Sequence, residues 1–353
     1  MLIEWEQFFE LTAQRQPDFT NLEKVLQGGI PSRPTLFEFF LNDPLERFLA
    51  SHGQPETTED WPVWKIHTHA FRNAGYDYVT LQLPGFAFPK PEKHREATIS
   101  LNDAPVITSW ETFETYSWPD PDQADMKWLD EAAEHLPPGM KIIVCGPGGV
   151  EENVIQLMGY ENLCFALVDN PDLVAAVFDK VGSALTGYYA RIAPHPKVGA
   201  CISNDDWGFK TQTLLSIKHM QQYLFPWHKK IVDTVHAAGK PVILHSCGYF
   251  LDLIDILHSQ LQYDARHSYE DNITPVEEAY DLLQGRIAVL GGIDLDFVCR
   301  STPEEVFQRA KRMLQKTASR GGYALGSGNS IPPYVPWDNY RALISPALLL
   351  EED

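Results

Sequence analysis

The sequence predicts an α/β protein folded as a (β/α)8 barrel, the TIM-barrel architecture. Eight short apolar runs rich in β-branched residues occur at 35–39, 78–83, 141–145, 198–203, 241–245, 263–267, 287–290 and 323–325. Most are separated by stretches of helical periodicity, an alternation that builds a parallel sheet. Eight such units are the number that closes into a barrel. No GxGxxG follows the first run, which counts against an open dinucleotide-binding sheet.

The elements follow in order. Residues 1–33 read as an N-terminal helical cap that ends at the breaker Gly28-Gly29-Ile30-Pro31. His67 and His69 fall in a helix before the second run and read as surface residues. Residues 98–107 hold two short alternating runs around Asn102-Asp103, expected as a small hairpin inserted in a loop. Gly146-Pro147-Gly148-Gly149 lacks the Lys-Ser/Thr of a phosphate loop and reads as a tight turn. Asn170-Pro171 opens a helix with a cap and a proline in the first turn. The periodic stretch 217–237 reads as one long helix stopped by Gly239. Thr302-Pro303-Glu304-Glu305 opens another, with acids where the helix dipole favours them. The 353 residues fit one large barrel domain spanning 1–353.

Composition excludes several function classes. With 48 acidic against 28 basic residues the formal net charge is -20, and no Lys/Arg-rich run stands out. Phosphate backbones and anionic membrane surfaces both need concentrated positive charge, so neither nucleic acid nor a membrane is an expected partner. The five cysteines are odd in number and contain no CxxC pair. That usage, with a start lacking signal-peptide character, points to reduced thiols in a cytoplasm.

The chemistry is expected at the carboxyl ends of the strands. The most informative stretch is Val242-Ile243-Leu244-His245-Ser246-Cys247-Gly248, a buried strand ending in a His and a Cys two residues apart. Side chains at i and i+2 of an extended chain share a side, so an imidazole and a thiolate could grip one metal ion. The third ligand stays open among Cys145, Cys201, Asp206 and His267. Of Asp205-Asp206, one is expected to cap a helix or turn and the other to handle a proton; Asp206 is taken as the catalytic one, beside His245 and Cys247. Glu38, Asp205, His267, Tyr269 and Asn329 also end strands and are expected to contact substrate.

With these residues in hand, the chain resembles the uroporphyrinogen decarboxylase superfamily from residue 34 to the C-terminus. The resemblance rests on Asp205-Asp206, on Gly239-Lys240-Pro241 leading into the His245-Ser246-Cys247-Gly248 stretch, and on Leu290-Gly291-Gly292-Ile293-Asp294. It continues through Gly321-Gly322-Tyr323 and Pro336-Trp337-Asp338-Asn339-Tyr340. It implies a (β/α)8 barrel with its site at the carboxyl ends of the strands. True decarboxylases of the superfamily carry an arginine-rich run after strand one, where this chain has Phe39-Phe40-Leu41-Asn42-Asp43. The methyltransferase branch works with corrinoid proteins and binds zinc through a His-x-Cys, matched here by His245 and Cys247, plus a Cys after the last strand, where Asn329 stands. The resemblance therefore implies a methyltransferase that moves a methyl group between the corrinoid of a separate protein and a small acceptor, and a homodimer. A uroporphyrinogen-type decarboxylase is the alternative, and a non-catalytic tetrapyrrole- or corrinoid-binding barrel the second.

Overall fold

The computed structural model describes residues 2–90, 101–102 and 105–350. Among these, seven parallel strands lie side by side in chain order: β1 (Tyr78–Gln82), β2 (Lys141–Cys145), β3 (Val198–Asn204), β4 (Val242–His245), β5 (Ala265–His267), β6 (Ala288–Leu290) and β7 (Tyr323–Ala324). Strands β4, β5 and β6 are buried along their whole length. That explains why β6 and all of β4 up to His245 read as apolar runs rather than alternating ones, as parallel strands covered on both faces do; β5 is equally buried but carries Arg266 and His267.

The eighth strand, expected at 35–39, is reduced to a single parallel bridge between Leu36 and Leu325, beyond β7. Phe37 N–H donates to the Leu325 carbonyl at 2.8 Å, and Leu325 N–H donates to that of Thr35 at 2.7 Å. Toward β1 a side chain takes the place of a ladder. The Tyr78 hydroxyl donates to the Glu38 carbonyl and accepts from the Glu38 N–H, both at 2.7 Å. One phenol thus satisfies the backbone groups that a paired strand would have used, and parallel strands curl into a barrel with its eighth position marked by this short segment.

The N-terminal cap consists of helices Trp5–Gln14 and Thr20–Leu26. Their buried Phe8, Leu22 and Val25 join the same apolar core as the strands. The hairpin expected over 98–107 falls largely outside the described residues. Within that stretch Val106 and Ile107 donate to the Leu157 carbonyl and form no strand. The long helix expected over 217–237 is interrupted. A short turn, Ile217–His219, runs into a π-helical turn, Met220–Leu224, before the helix Phe225–Ala237. Pro226 has no N–H to offer and its ring displaces the preceding turn, a usual cause of such a bulge.

The helix Pro303–Thr317 starts with a capping box: Glu305 N–H donates to the Thr302 hydroxyl, and the Glu305 carboxylate accepts from Thr302 N–H at 2.8 Å. Thr302→Ala is expected to cost about 1 kcal/mol in chemical denaturation; an unchanged midpoint would remove the cap from the account. No helix among the described residues is long and apolar enough to cross a membrane.

Candidate metal and active site

The register of the sheet assembles the site. Asn204 at the end of β3 pairs with His245 at the end of β4, and His245 pairs with His267 at the end of β5. Residues in register on parallel neighbours point to the same side, so three polar side chains from three strands are brought together. Asp206 and Cys247 follow immediately, and the loop carrying Ser327 and Asn329 follows β7.

Ligand atoms of Asp206, His245 and Cys247 all lie within 4.8 Å of one another. His245 Nε2 is 4.0 Å from Cys247 Sγ. Zinc bonds to nitrogen at about 2.0 Å and to sulfur at about 2.3 Å, so a pair at this separation needs little adjustment to share one ion. Each of the three is held by a further group, the arrangement that orients metal ligands. Cys247 N–H donates to Asp206 Oδ1 at 2.7 Å. Cys247 Sγ accepts from the Asn329 amide at 3.3 Å and faces the Ser268 hydroxyl at 3.7 Å. The Asn329 oxygen is occupied by Ser330 N–H at 2.8 Å, which turns the amide nitrogen toward the sulfur. That nitrogen is no metal ligand, so Asp206 is the residue placed to complete the set.

Hydrogen bonds settle the tautomer of His245. His267 Nε2 lies 3.1 Å from the Ser327 carbonyl, which can only accept, so Nε2 carries the proton. Burial holds His267 down at about 3, so the ring is neutral and its Nδ1 is bare. His245 Nδ1, 2.8 Å away, must then be the donor. Burial also pushes His245 well below its ordinary value, leaving Nε2 as a free lone pair facing Cys247. A neutral imidazole with its far nitrogen held is what a metal requires of histidine. Burial raises both Asp206 and the Cys247 thiol above their ordinary values.

Several residues expected at the substrate have other work. Asp205 is fully buried. Its carboxylate accepts from Glu151 and Glu152 N–H, both at 2.9 Å, at the start of helix Val150–Met158, and pairs with His228 Nε2 at 2.8 Å. It caps a helix, the anion-favouring end, and a Cβ on Gly149 would sit 2.1 Å from its Cγ. Glycine is required there, so the Gly146–149 turn serves this cap. Tyr269 is buried with its hydroxyl donating to the Arg266 carbonyl at 3.1 Å. His267 holds His245 and does not reach the open side. Cys145 and Cys201 are buried within strands and take no part among the metal donors. His67, read as a surface residue, is half-buried and pairs with the buried Glu46 at 2.7 Å.

Glu38, also expected at the substrate, is fully buried and binds the Ser327 N–H and hydroxyl, both at 2.7 Å. Burial pushes its carboxyl up to about 8 from an ordinary 4.5. A raised acid favours the fold below the unfolded value and loses that advantage as pH climbs toward the folded one. Glu38→Gln is therefore expected to match the parent near pH 4.5 and to be more stable by on the order of 3 kcal/mol near pH 7. Parallel pH–stability curves for the two proteins would contradict this.

Sequence reasoning missed His228, Ser268 and Arg266. None carries a local signal: His228 lies near the start of a helix, and the other two flank His267 at the end of β5. Arg266 is fully buried, with its guanidinium donating to the Ser246 carbonyl at 2.9 Å and to that of Ser268, and lying over the Phe250 ring. A separate cavity of about 480 Å³, lined among others by Asp264, Arg286 and Gly322, opens at the amino ends of β5, β6 and β7, the end away from this site.

The fold is similar to that of a methyltransferase from Methanosarcina mazei, with a TM-score of 0.70 and 15% identity over 94% of this chain and 98% of the other. A uroporphyrinogen decarboxylase of Anaeromyxobacter dehalogenans is 26% identical over 189 residues, 53% of this chain. The chain spans about half the length of that curated relative, 51%. The sequence profile described as uroporphyrinogen decarboxylase (URO-D) matches residues 95–347. That match covers well over half of the chain and extends across the strands and loops that carry Asp206, His245 and Cys247, so the protein belongs to the uroporphyrinogen decarboxylase family of enzymes.

Proposed function

We propose that the protein is a methyltransferase that moves a methyl group between the corrinoid of a partner protein and a small acceptor, a thiol in the simplest case, at a zinc site formed by Asp206, His245 and Cys247. The observation that carries the reading is the convergence of one oxygen, one nitrogen and one sulfur donor within 4.8 Å, each held by a second group. A zinc ion bound there would supply the charge that keeps an acceptor thiol ionised near neutral pH. The chain's own residues do the rest. His245 presents a bare Nε2, and Asn329 and Ser268 direct their donors at Cys247 Sγ. Asp206 offers its carboxylate in place of the second thiolate that the methyltransferase branch carries. Three protein ligands leave a fourth position for an incoming acceptor.

The surrounding charge favours this over decarboxylation of a tetrapyrrole. Burial, and after it Asp205 and Asp206, raise Glu152; burial, and after it Asp206 and more weakly Glu270, raise Cys247. Among the described residues, Arg266 acts electrostatically on Asp206 and His245, but it is fully buried with Nη1 and Nη2 turned to backbone carbonyls. A substrate with many carboxylates would meet repulsion rather than the bidentate arginine contacts that hold such groups.

The test mixes zinc-loaded protein with methylcobalamin and a panel of thiols and follows the visible spectrum. Loss of the methyl–cobalt absorption that depends on both protein and thiol is expected. Release of carbon dioxide from uroporphyrinogen, with no demethylation of methylcobalamin, would replace this reading with the decarboxylase. Asn329→Cys is expected to raise zinc affinity by about tenfold or more, because a thiolate would then stand one bond short of the amide nitrogen that lies 3.3 Å from Cys247 Sγ. Competition against a chromophoric chelator measures it, and an unchanged affinity would count against this placement of the loop.

A further inference from the structure

We propose that Glu38, which is bound to Ser327 and is none of the three metal donors, is a positioning residue: through Ser327 it sets the tautomer of His245 and the orientation of Asn329. The chain of contacts is continuous. Glu38 Oε1 accepts from Ser327 N–H and Oε2 meets the Ser327 hydroxyl, both at 2.7 Å. The carbonyl of the same Ser327 accepts from His267 Nε2 at 3.1 Å, and His267 Nδ1 accepts from His245 Nδ1 at 2.8 Å. The Ser327 hydroxyl also lies 2.5 Å from the carbonyl of Asn329, whose amide reaches Cys247 Sγ. One serine thus anchors both branches; Glu38 holds its N–H and hydroxyl, while Gly292 N–H donates to its carbonyl at 2.7 Å.

Counting hydrogens assigns the form of Glu38. The Asn329 carbonyl can only accept, so the single hydroxyl proton of Ser327 points there. Glu38 Oε2 must then donate to the hydroxyl oxygen, which makes Glu38 the neutral acid. Its complete burial points the same way. Glutamine reproduces that pattern of one acceptor and one donor; leucine keeps the approximate size and offers neither. The free His245 side chain would otherwise exchange between tautomers, and only the form with a bare Nε2 can accept a metal without first losing a proton.

The role assigned to His245 in zinc binding rests on the preceding proposal, but the tautomer itself does not. It can be read in metal-free protein, without corrinoid, from two-bond proton–nitrogen correlation spectra of histidine-labelled samples at pH 7. The expected result for the parent and for Glu38→Gln is His245 with Nδ1–H and a bare Nε2. Glu38→Leu is expected to convert it to a mixture or to the Nε2–H form, and to lower zinc affinity by about tenfold, with Glu38→Gln unchanged. If Glu38→Leu does not fold, Ser327→Ala is expected to shift the tautomer in the same direction. An Nε2–H or doubly protonated His245 in the parent overturns the proposal. So does a tautomer indifferent to both Glu38→Leu and Ser327→Ala, or a Glu38→Gln protein that behaves like the leucine variant. A set His245 in a protein that moves no methyl group would sink the methyltransferase reading and leave this one standing.

Discussion

Cys247→Ala and His245→Ala are each expected to lower the rate of methyl transfer from methylcobalamin at least 10³-fold, about 4 kcal/mol of transition-state stabilisation, and to abolish stoichiometric zinc. The size follows from the number of ligands. With Asp206, His245 and Cys247 as the donors, removal of one leaves two, too few to retain a zinc ion against water and buffer. Both variants should fold. Cys247 is only partly buried and its sulfur accepts weak hydrogen bonds; His245 is buried, and its removal leaves His267 Nδ1 without a partner, so a circular-dichroism melt of that variant accompanies the assay. Two measurements keep the causes apart: zinc content by elemental analysis, and the demethylation rate at saturating zinc. A variant that retains zinc and loses activity would assign Cys247 to the acceptor; full activity without zinc would end the metal reading.

Adjacent aspartates are expected to give opposite phenotypes, and this is the second large effect. Asp205→Ala removes the acceptor of two N–H groups at a buried helix start and strands the buried His228 without its carboxylate. Breaking such a buried pair by deleting one member costs on the order of 3–5 kcal/mol. Asp206→Ala loses one hydrogen bond from Cys247 N–H, roughly 1 kcal/mol, but loses a metal donor. Denaturant unfolding of both variants, alongside zinc titration, separates them. Asp205→Ala as stable as the parent would show that the cap and the His228 pair contribute little, and the division of roles between the neighbours would have to be redrawn.

Much of the architecture was legible in the chain. Parallel strands covered on both faces are apolar throughout, so seven of the eight expected runs coincide with strands. Helix-start chemistry is local, so the openings at Pro171 and Pro303 could be read from a few residues, although the Asn170 side chain makes no cap hydrogen bond where Thr302 does. The segment at 35–39 read as a full strand because apolar character reports burial; it does not report pairing. The Tyr78 hydroxyl that takes the ladder's place comes from 40 residues further on. Pro226 was visible, but its effect as a π-helical turn rather than a stop depends on how the helix packs.

For the site, the amino-acid sequence by itself determined which chemical groups stand at the strand ends: a His and a Cys two residues apart, paired aspartates, and an Asn in the last loop. Strand register and periodicity are enough for that. Only the tertiary structure decided what each group does, because burial and partnership are properties of distant neighbours. It sent Asp205 to a helix start through contact with residues 151 and 152, and sealed Glu38 against Ser327, 289 residues away. It left Asp206 beside His245 and Cys247. Two identical carboxylates in successive positions differ in role because one is sealed among donors it must satisfy and the other, partly exposed, lies beside two further metal donors, a distinction that exists only once the chain has closed around them.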